Sequence, residues 1–338
     1  MSFPVPGVLL LPGPPYGPGA RVSRPGPYGH RTSNGGGDTA HNRTPAASHP
    51  SPVMDPDMSD QLDLNHASPA RIYNDFLGGK SAFPIDRQAA QAVVDAAPDA
   101  RQVAIENFRF AGRAARWAIE RLRALDPHQH AQVLDIGCGI VDDLPQDMPR
   151  VEDQVHAVDP DAVVVGVDND PVVLVHARGL RQPGYGGVLP GDVTDLDGIF
   201  NHPDLRAVID VDRPMTVILA AVLHFVAEPG RVITDLGNWL APGSIVVISH
   251  ATTTKTAATR VNGMTKAYDN ATSRIFFRPE KEILGLLDGW QVVRPPGLVD
   301  VAEWGLPHPH NGQRGEDVRV VGLVAELPSS APTSCASS

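Results

Sequence analysis

Residues 133–139 read Val-Leu-Asp-Ile-Gly-Cys-Gly, an apolar stretch that runs directly into a turn with glycines at positions 137 and 139. Glycine lets a backbone turn tightly and approach a ligand where a Cβ atom would clash. In open α/β folds such a turn follows the first strand, at the carboxyl edge of the sheet where ligands bind. The stretch therefore predicts a nucleotide-like ligand bound at this turn.

The chain on both sides of this turn alternates between short β-branched runs and helical segments. We predict strands at 132–136, 163–167, 188–189, 215–223 and 244–249, and helices at 171–180, 196–200, 230–240 and 279–287. The runs at 290–293 and 318–327 suit two closing strands, one of them antiparallel at the edge. The pattern predicts an α/β fold with a doubly wound, mostly parallel sheet of seven strands.

The sequence before the first predicted strand has the pattern of helices. Ser68 and Pro69 suit the N-cap and first position of a helix, and the Ala-rich stretch 86–97 suits a second one. Asp99 can cap a long helix to residue 125 whose apolar residues follow a 3.6-residue spacing. These segments predict an N-terminal helical extension to the sheet.

Composition divides the 338 residues unevenly, because about a third of the first 60 are Pro or Gly. Such a stretch buries too little apolar surface to offset the entropy of ordering. We predict a disordered leader at 1–62, one domain at 63–328 with a helical cap (63–128) and a core (129–328), and a disordered tail at 329–338. An alternative is that translation begins at Met54 or Met58.

Charge and cysteine content exclude several classes of protein. A net charge of −11 without basic runs disfavours nucleic acid as a partner. Two cysteines, Cys138 and Cys335, are too few for a disulfide framework or a multi-cysteine zinc site, so we expect no metal and a cytoplasmic location. The apolar run 215–226 is shorter than the ~20 residues that a membrane span requires. Nothing in the sequence indicates the oligomeric state.

Carboxylates accompany the glycine turn. Asp135 lies two residues before Gly137, where it could accept hydrogen bonds from a cationic amine. Asp142 occupies the third glycine position of the dinucleotide pattern. A pyrophosphate would be repelled there, whereas a sulfonium ligand with an amino-acid tail would be tolerated. Asp168 ends the second predicted strand, where a carboxylate can bind both ribose hydroxyls of an adenosine.

Further polar residues follow the other predicted strands. Asp192 could hold an adenine amino group or simply cap its own turn. We group Asn169, which follows Asp168, and Val193, which follows Asp192, with the cofactor-binding residues. Asp170, before a proline, is more simply a helix N-cap. His224 and His250 end two strands, where an imidazole could take a proton, hydrogen-bond near the cofactor, or serve a structural role.

The motifs LDIGCG, GVDNDP, GDV and LAPGS, in this order and spacing, resemble the Rossmann-like class of S-adenosylmethionine-dependent methyltransferases. The segments ARIYNDFLGGK, FPIDR, VLHFV and RPEKEI are similar to a bacterial S-adenosyl methyltransferase family once catalogued as a domain of unknown function. The resemblance covers about residues 66–326. It implies S-adenosylmethionine as cofactor, held by the glycine turn and Asp168, with Arg71, Tyr73, Gly78 and Gly79 near it.

The chain departs from that family at two places. The family follows its glycine turn with Leu-Pro-Thr and an Asn-x-His pair, whereas residues 140–155 read IVDDLPQDMPRVEDQV, with Glu152 near the histidine position. Ser81 and Ala82 replace the family's Asp-Asn. Both departures concern segments expected near the cofactor or the acceptor, so they could weaken cofactor binding or change the acceptor.

The predicted activity is methyl transfer by in-line displacement, which needs alignment of the reactants more than it needs a base. The strand end typical of amide and base N-methyltransferases is missing, so we expect a small-molecule acceptor, with His224 and Tyr73 as candidate catalytic residues. Two alternatives remain. One is a non-catalytic protein that binds the cofactor or its demethylated product, and the other is an NAD-dependent oxidoreductase.

Overall fold

The computed structural model describes residues 63, 65–141, 144, 145, 148–179, 187–306 and 318–328. These residues belong to one compact unit, Met54–Ser338. The predicted leader (1–62) and the predicted tail (329–338) lie outside the described residues. Asp142, which follows the glycine turn, also lies outside them.

Three helices form the N-terminal extension: α1 (Pro69–Phe76), α2 (Pro84–Ala96) and α3 (Ala100–Leu125). Proline at the first position starts both α1 and α2, where its missing N–H costs nothing. Along α3 the small and apolar residues of one face are buried, as the 3.6-residue spacing predicts. α3 packs on one face of the sheet, and residues of α1 and α3 line the cavity described below.

The sheet has eight strands in the order β3-β2-β1-β4-β5-β8-β6, with β7 also paired to β8. The strands are β1 (Gln132–Ile136), β2 (Val163–Asp168), β3 (Gly187–Pro190), β4 (Thr216–Leu219), β5 (Ile245–Thr252), β6 (Gln291–Val292), β7 (Val299–Asp300) and β8 (Arg319–Glu326). Strands β1 to β5 are parallel, and β8 is antiparallel to β5, β6 and β7. The doubly wound sheet with an antiparallel edge is confirmed, with one short strand more than predicted.

Both faces of the sheet are covered, which explains why its strands read as continuous apolar runs. Val133 and Leu134, neighbours in β1, point to opposite faces and join two different buried clusters. The first face packs on α3, and the second on the helices that follow β3 and β4. The remaining helices are α4 (Val151–His156), α5 (Pro171–Gly179), α6 (Leu196–Phe200), α7 (Pro203–Arg206), α8 (Pro229–Trp239), α9 (Ala258–Ala267) and α10 (Glu280–Gly285).

The strand predicted at 215–223 is wrong in its second half. β4 ends at Leu219, and Ala221 takes a left-handed conformation with φ of 58° while its N–H donates to Ser249 Oγ at 2.8 Å. A turn of 3₁₀ helix follows at Leu223–Phe225. Leu223 and His224 are buried and the residues next to them are partly buried, so the sequence stays largely apolar although the chain is no longer extended. His224 therefore lies in a turn beyond the strand.

Four helices and strands were not predicted, namely α4, α7, α9 and β7, in addition to the 3₁₀ turn. α4 is a single short helix in the stretch where the chain departs from the family pattern. α9 carries a weakly amphipathic sequence that packs on α2. Across the described part of the chain, no helix combines the length and apolar character needed to cross a bilayer.

Candidate active site

A cavity of about 890 Å³ opens at the carboxyl ends of the parallel strands, beneath the N-terminal helices. Parallel strands bring all their carboxyl ends to one edge, so residues far apart in sequence meet there. One part of the cavity, here called the strand-end half, is lined by Asp135, Gly139, Asp168 and Asp192. The other part, here called the aromatic chamber, is lined by Tyr73, Phe108, Phe225, Met264, Tyr268 and Ile275.

The two glycines of the turn serve different purposes, although both have a positive φ, 74° at Gly137 and 67° at Gly139. A Cβ atom on Gly137 would collide with the side chain of Val222. A Cβ atom on Gly139 would meet no protein atom within 4 Å and would project into the cavity. Packing thus requires glycine at 137, whereas glycine at 139 leaves the backbone open to a ligand.

Asp168 is buried at the end of β2, and backbone groups hold its carboxylate. The N–H of Gly139 donates to Oδ2 and the N–H of Asp170 donates to Oδ1, each at 2.9 Å. Burial raises the pKa of Asp168 to about 6 despite these hydrogen bonds. Each oxygen keeps a further lone pair, so the carboxylate can still accept hydrogen bonds from two ligand hydroxyls.

Asp135 lies one strand away, and no described residue donates a hydrogen bond to its carboxylate. Burial and the neighbouring charge of Asp168 raise the pKa of Asp135 to about 7. An uncompensated carboxylate in a cavity is stabilised by a cationic ligand group. The strand-end half is therefore complementary to a ligand that carries both a diol and a positive charge.

Asp192 lines the strand-end half and accepts hydrogen bonds from Asn169 and Thr194. Asn169 Nδ2 donates to Asp192 Oδ2 at 2.9 Å, and the N–H and hydroxyl of Thr194 donate to Oδ1. Partial burial opposes ionisation, yet the hydrogen bonds from Thr194 and Asn169 lower the pKa of Asp192 below its usual value. Val193 also lines the cavity. Asp192 thus caps its own turn and faces the cavity at the same time.

His224 is 5% exposed and lines the cavity from the 3₁₀ turn. The N–H of Ala251 donates to its Nδ1 at 3.4 Å, so Nδ1 is unprotonated. Burial, together with His250 and Arg278, lowers the pKa of His224 well below its usual value. The neutral ring therefore carries its proton on Nε2.

Arg278 holds His250 and the backbone after the 3₁₀ turn in place. Its Nη1 donates to His250 Nε2 at 3.0 Å, so His250 holds its proton on Nδ1, which donates to the Ala251 carbonyl at 2.8 Å. Its Nη2 donates to the carbonyls of Val226 and Ala227. His250 is fully buried and does not line the cavity, so its place in this structure is that of a structural hydrogen-bonding group.

Tyr73 and Asn107 form a pair in the wall between α1 and α3. Asn107 Nδ2 donates to Tyr73 Oη at 2.8 Å, and Tyr73 Oη donates to the Ala104 carbonyl at 3.0 Å. Burial raises the pKa of Tyr73, so the phenol remains protonated. Asn107 Oδ1 is buried and accepts no hydrogen bond from the described residues.

Tyr268, at the end of α9, packs on the ring of Phe225 with 5.4 Å between ring centroids. Its hydroxyl makes no hydrogen bond with the described residues, and burial raises its pKa. Sequence reasoning missed Tyr268 and Asn107. Asn107 carried a usable signal, because it is a polar residue on the apolar face of a long helix, whereas Tyr268 lies in a stretch without any motif.

Arg71 joins the N-terminal extension to the strand-end half. Its buried Nε lies 3.2 Å from Asp86 Oδ1 and 3.7 Å from Asp170 Oδ2. Asp170 also caps α5 by accepting from the N–H of Val172, the structural role expected of it. Gly78 lies against Pro145 and Gly79 against Asn74, and neither lines the cavity. Their assignment to cofactor binding stays a prediction.

The strand-end half suits the S-adenosylmethionine expected from the sequence. The Asp168 carboxylate could accept hydrogen bonds from two ribose hydroxyls, the Asp135 carboxylate could pair with an amino group, and Gly139 leaves space for close approach. These features account for the ligand's diol and its positive charge with residues of the chain itself.

Comparisons with known proteins agree with this fit. The family model described as S-adenosyl methyltransferase matches residues 55–328. The structure of a candidate methyltransferase from Thermobifida fusca YX is 30% identical with a TM-score of 0.69, and the match covers 79% of this chain and 97% of that chain. A DUF574 family protein from Streptomyces avermitilis MA-4680 is 29% identical with a TM-score of 0.68, covering 79% and 99%. Among curated proteins none matches. The chain belongs to the S-adenosyl methyltransferase family.

Proposed function

We propose that this protein transfers a methyl group from S-adenosylmethionine to a small-molecule acceptor by in-line displacement. The observation that carries the proposal is the single cavity in which a carboxylate-lined half adjoins a chamber walled by aromatic side chains. A volume of about 890 Å³ is near the upper end of the range of about 300–1,000 Å³ typical of small-molecule sites. Such a cavity has room for a cofactor together with a second compound.

The cofactor would be held by the strand-end half. Asp168 would accept from the ribose hydroxyls, Asp135 would pair with the amino group, and Asp192 would accept from the adenine amino group. The remaining predicted contacts are Gly137, Gly139, Asn169 and Val193. Bound there, S-adenosylmethionine supplies an electrophilic methyl group on a sulfonium centre.

The contribution of the chain to the reaction is chiefly alignment and exclusion of water. Holding two reactants in line can supply much of the acceleration of a displacement, because the translational and rotational freedom is lost on binding. The helices α1, α3 and α9 cover the chamber, and their apolar side chains exclude water from it. A base is needed only where the acceptor must lose a proton as it is methylated.

His224 and Tyr73 are the two residues we propose at the acceptor. With its proton on Nε2, His224 would donate a hydrogen bond to the acceptor. Because an Nε2 that already carries a proton cannot accept another, this supports a role for His224 in orienting the acceptor over a role as a base. Tyr73 would form part of the chamber wall that contacts the acceptor. The low cysteine content supports a cytoplasmic setting as part of the proposal.

The test is a transfer experiment with the intact protein. The protein is incubated with S-adenosylmethionine carrying a deuterated methyl group and with a small-molecule extract of its own source, and products with the expected mass shift are identified by mass spectrometry. We expect labelled small molecules with the native chain and none with Asp168→Ala. Saturable cofactor binding without any labelled product would instead favour the non-catalytic alternative.

A further inference from the structure

The aromatic chamber differs from the rest of the cavity in carrying no ionised side chain. Among the described cavity-lining residues, the Asp, Glu and Arg side chains belong to the strand ends, to α4 with its preceding residue, and to the segment around Arg71. Arg71 itself is 2% exposed and engaged by Asp86. A charged acceptor in the chamber would lose its hydration without gaining a counter-ion, which costs several kcal/mol.

The walls are suited to a flat apolar body. The ring of Phe225 lies between two others, with centroid distances of 4.5 Å to His224 and 5.4 Å to Tyr268. Met264 and Phe108 complete the same buried cluster, and a thioether and aromatic edges both pack well on an aromatic ring. Thr272 is exposed, and with the neighbouring Ser273 it supplies hydroxyl-bearing side chains to the cavity lining.

Two polar groups interrupt this apolar lining. His224 presents an Nε2–H group, and the Tyr268 hydroxyl has no partner among the described residues. A ligand that supplies hydrogen-bond partners to these groups in a cavity from which water is displaced gains affinity. A hydroxyl group is suited to both, because it accepts and donates hydrogen bonds.

We propose that the methyl acceptor is an uncharged compound with an aromatic ring and a hydroxyl group, the ring lying in the aromatic chamber and the hydroxyl hydrogen-bonding to His224 and Tyr268. The proposal rests on the methyl-transfer function proposed above and specifies the substrate class of the same site. It names the chemistry of the acceptor and leaves the methylated atom open.

The test compares two probes on the full-length protein saturated with S-adenosylhomocysteine. One probe is 2-naphthol, which is uncharged at pH 7, and the other is naphthalene-2-carboxylate, which has the same rings and a negative charge. Titration calorimetry should show 2-naphthol binding at least about 10-fold more tightly, because the chamber offers no cation to the carboxylate. Equal affinity, or tighter binding of the carboxylate, would overturn the proposal.

Two variants locate the binding to the chamber. Tyr268→Phe keeps the ring and removes the hydroxyl, so 2-naphthol should bind about 5- to 10-fold more weakly. Met264→Lys places a cation in the chamber and should reverse the preference between the probes, with Met264→Leu as the matched apolar control. If Met264→Lys fails to fold, Tyr268→Phe alone decides the matter, and unchanged naphthol affinity in that variant contradicts the proposed contact.

The same titrations separate this inference from the proposed function. Binding of S-adenosylhomocysteine should be unchanged in Tyr268→Phe, since the strand-end half is intact. If the native protein binds neither S-adenosylmethionine nor S-adenosylhomocysteine, the proposed function fails. If it binds the cofactor but shows no preference for the uncharged probe, only the proposed acceptor class fails.

Discussion

The two parts of the cavity have opposite electrostatic character. In the strand-end half, Asp135 and Asp168 are carboxylates whose pKa values burial raises to about 7 and about 6. In the aromatic chamber, the described wall residues carry no ionised group, and the pKa values of Tyr73 and Tyr268 are raised by burial. Burial is similar in both, so the difference lies in the residue types. One half favours a cation, and the other disfavours any charge.

This division matches what a methyl transfer from a sulfonium requires. In the proposed reaction the positively charged reactant would be held by carboxylates, and the acceptor would lie in an apolar space from which water is excluded. Arg71 holds the two parts together, since it belongs to α1 beside Tyr73 and contacts Asp170 beside Asp168. A substitution in one part of the cavity shows whether ligand binding in the other part changes with it.

The largest effect is expected for Arg71→Ala. Its loss leaves the fully buried Asp86 without its cation and frees the carbonyls of Asp63 and His66, so the free energy of unfolding should fall by about 3–5 kcal/mol. Urea denaturation measures this change. Because Arg71 joins both parts, cofactor and naphthol affinities should both decrease.

Arg116→Ala is the matched control for Arg71→Ala. The Arg116 side chain is 48% exposed and pairs with Glu120 on the surface of α3, so its loss should change stability by less than about 1 kcal/mol. Equal losses in the two variants would show that the buried ion pairs of Arg71 do not join the extension to the sheet.

Asp168→Ala should reduce the affinity for S-adenosylmethionine by about 100-fold or more, equivalent to about 2.7 kcal/mol, since two hydrogen bonds to an ionised group are lost. Calorimetry gives this number directly. Asp161→Ala, at a carboxylate whose side chain is 77% exposed, is the control and should bind normally. Unchanged binding in Asp168→Ala would remove the ribose assignment.

Cofactor affinity should rise with pH by up to about 10-fold per unit between pH 5.5 and 7, and level off above that range. The sign follows from Asp135. Its carboxyl is protonated below a pKa of about 7 and must lose that proton to pair with an ammonium group. The charge of Asp168, with a pKa of about 6, acts in the same direction.

Asp135→Asn should flatten this pH profile and weaken cofactor binding. It should also stabilise the ligand-free protein at pH 8. The folded-state pKa of Asp135, about 7, lies above the unfolded value of 3.8, so this carboxyl lowers the free energy of unfolding progressively as the pH rises from 3.8 to about 7, and the loss is complete above that pH. Thermal unfolding at pH 5 and pH 8 checks the second effect, and a variant less stable than the native chain at pH 8 would contradict it.

The smallest effect is expected for Gly139→Ala. A left-handed alanine costs about 1 kcal/mol, and no protein atom obstructs the new methyl group. The methyl group would project into the strand-end half, so cofactor affinity should fall while the chamber still binds 2-naphthol. Gly137→Ala should cost more in stability, because its methyl group would collide with Val222. Urea denaturation of both variants tests this order.

Much of the fold could be predicted from local patterns, since strands β1, β2, β3 and β5 and helices α2, α3, α5, α6 and α8 all have periodic or β-branched sequences with clear end signals. The end of β4 was predicted wrongly because residues 220–223 are apolar like those of a strand, although they lie in a turn that is buried or partly buried. Ala221 donates its N–H to Ser249 on the neighbouring strand, and the 3₁₀ turn follows two residues later. A contact between distant residues is not encoded in the local pattern.

The candidate site divides in the same way. Asp135, Gly137, Gly139, Asp168 and Asp192 follow strands at recognisable spacing, so the sequence by itself determined the strand-end half and the family. The aromatic chamber brings together α1, α3, the 3₁₀ turn and α9, which are up to about 200 positions apart. Apolar residues such as Met264 and Tyr268 resemble any core residue until packing leaves a space between them. Only the tertiary structure decided which side chains line the aromatic chamber, because their contacts join residues far apart in the sequence.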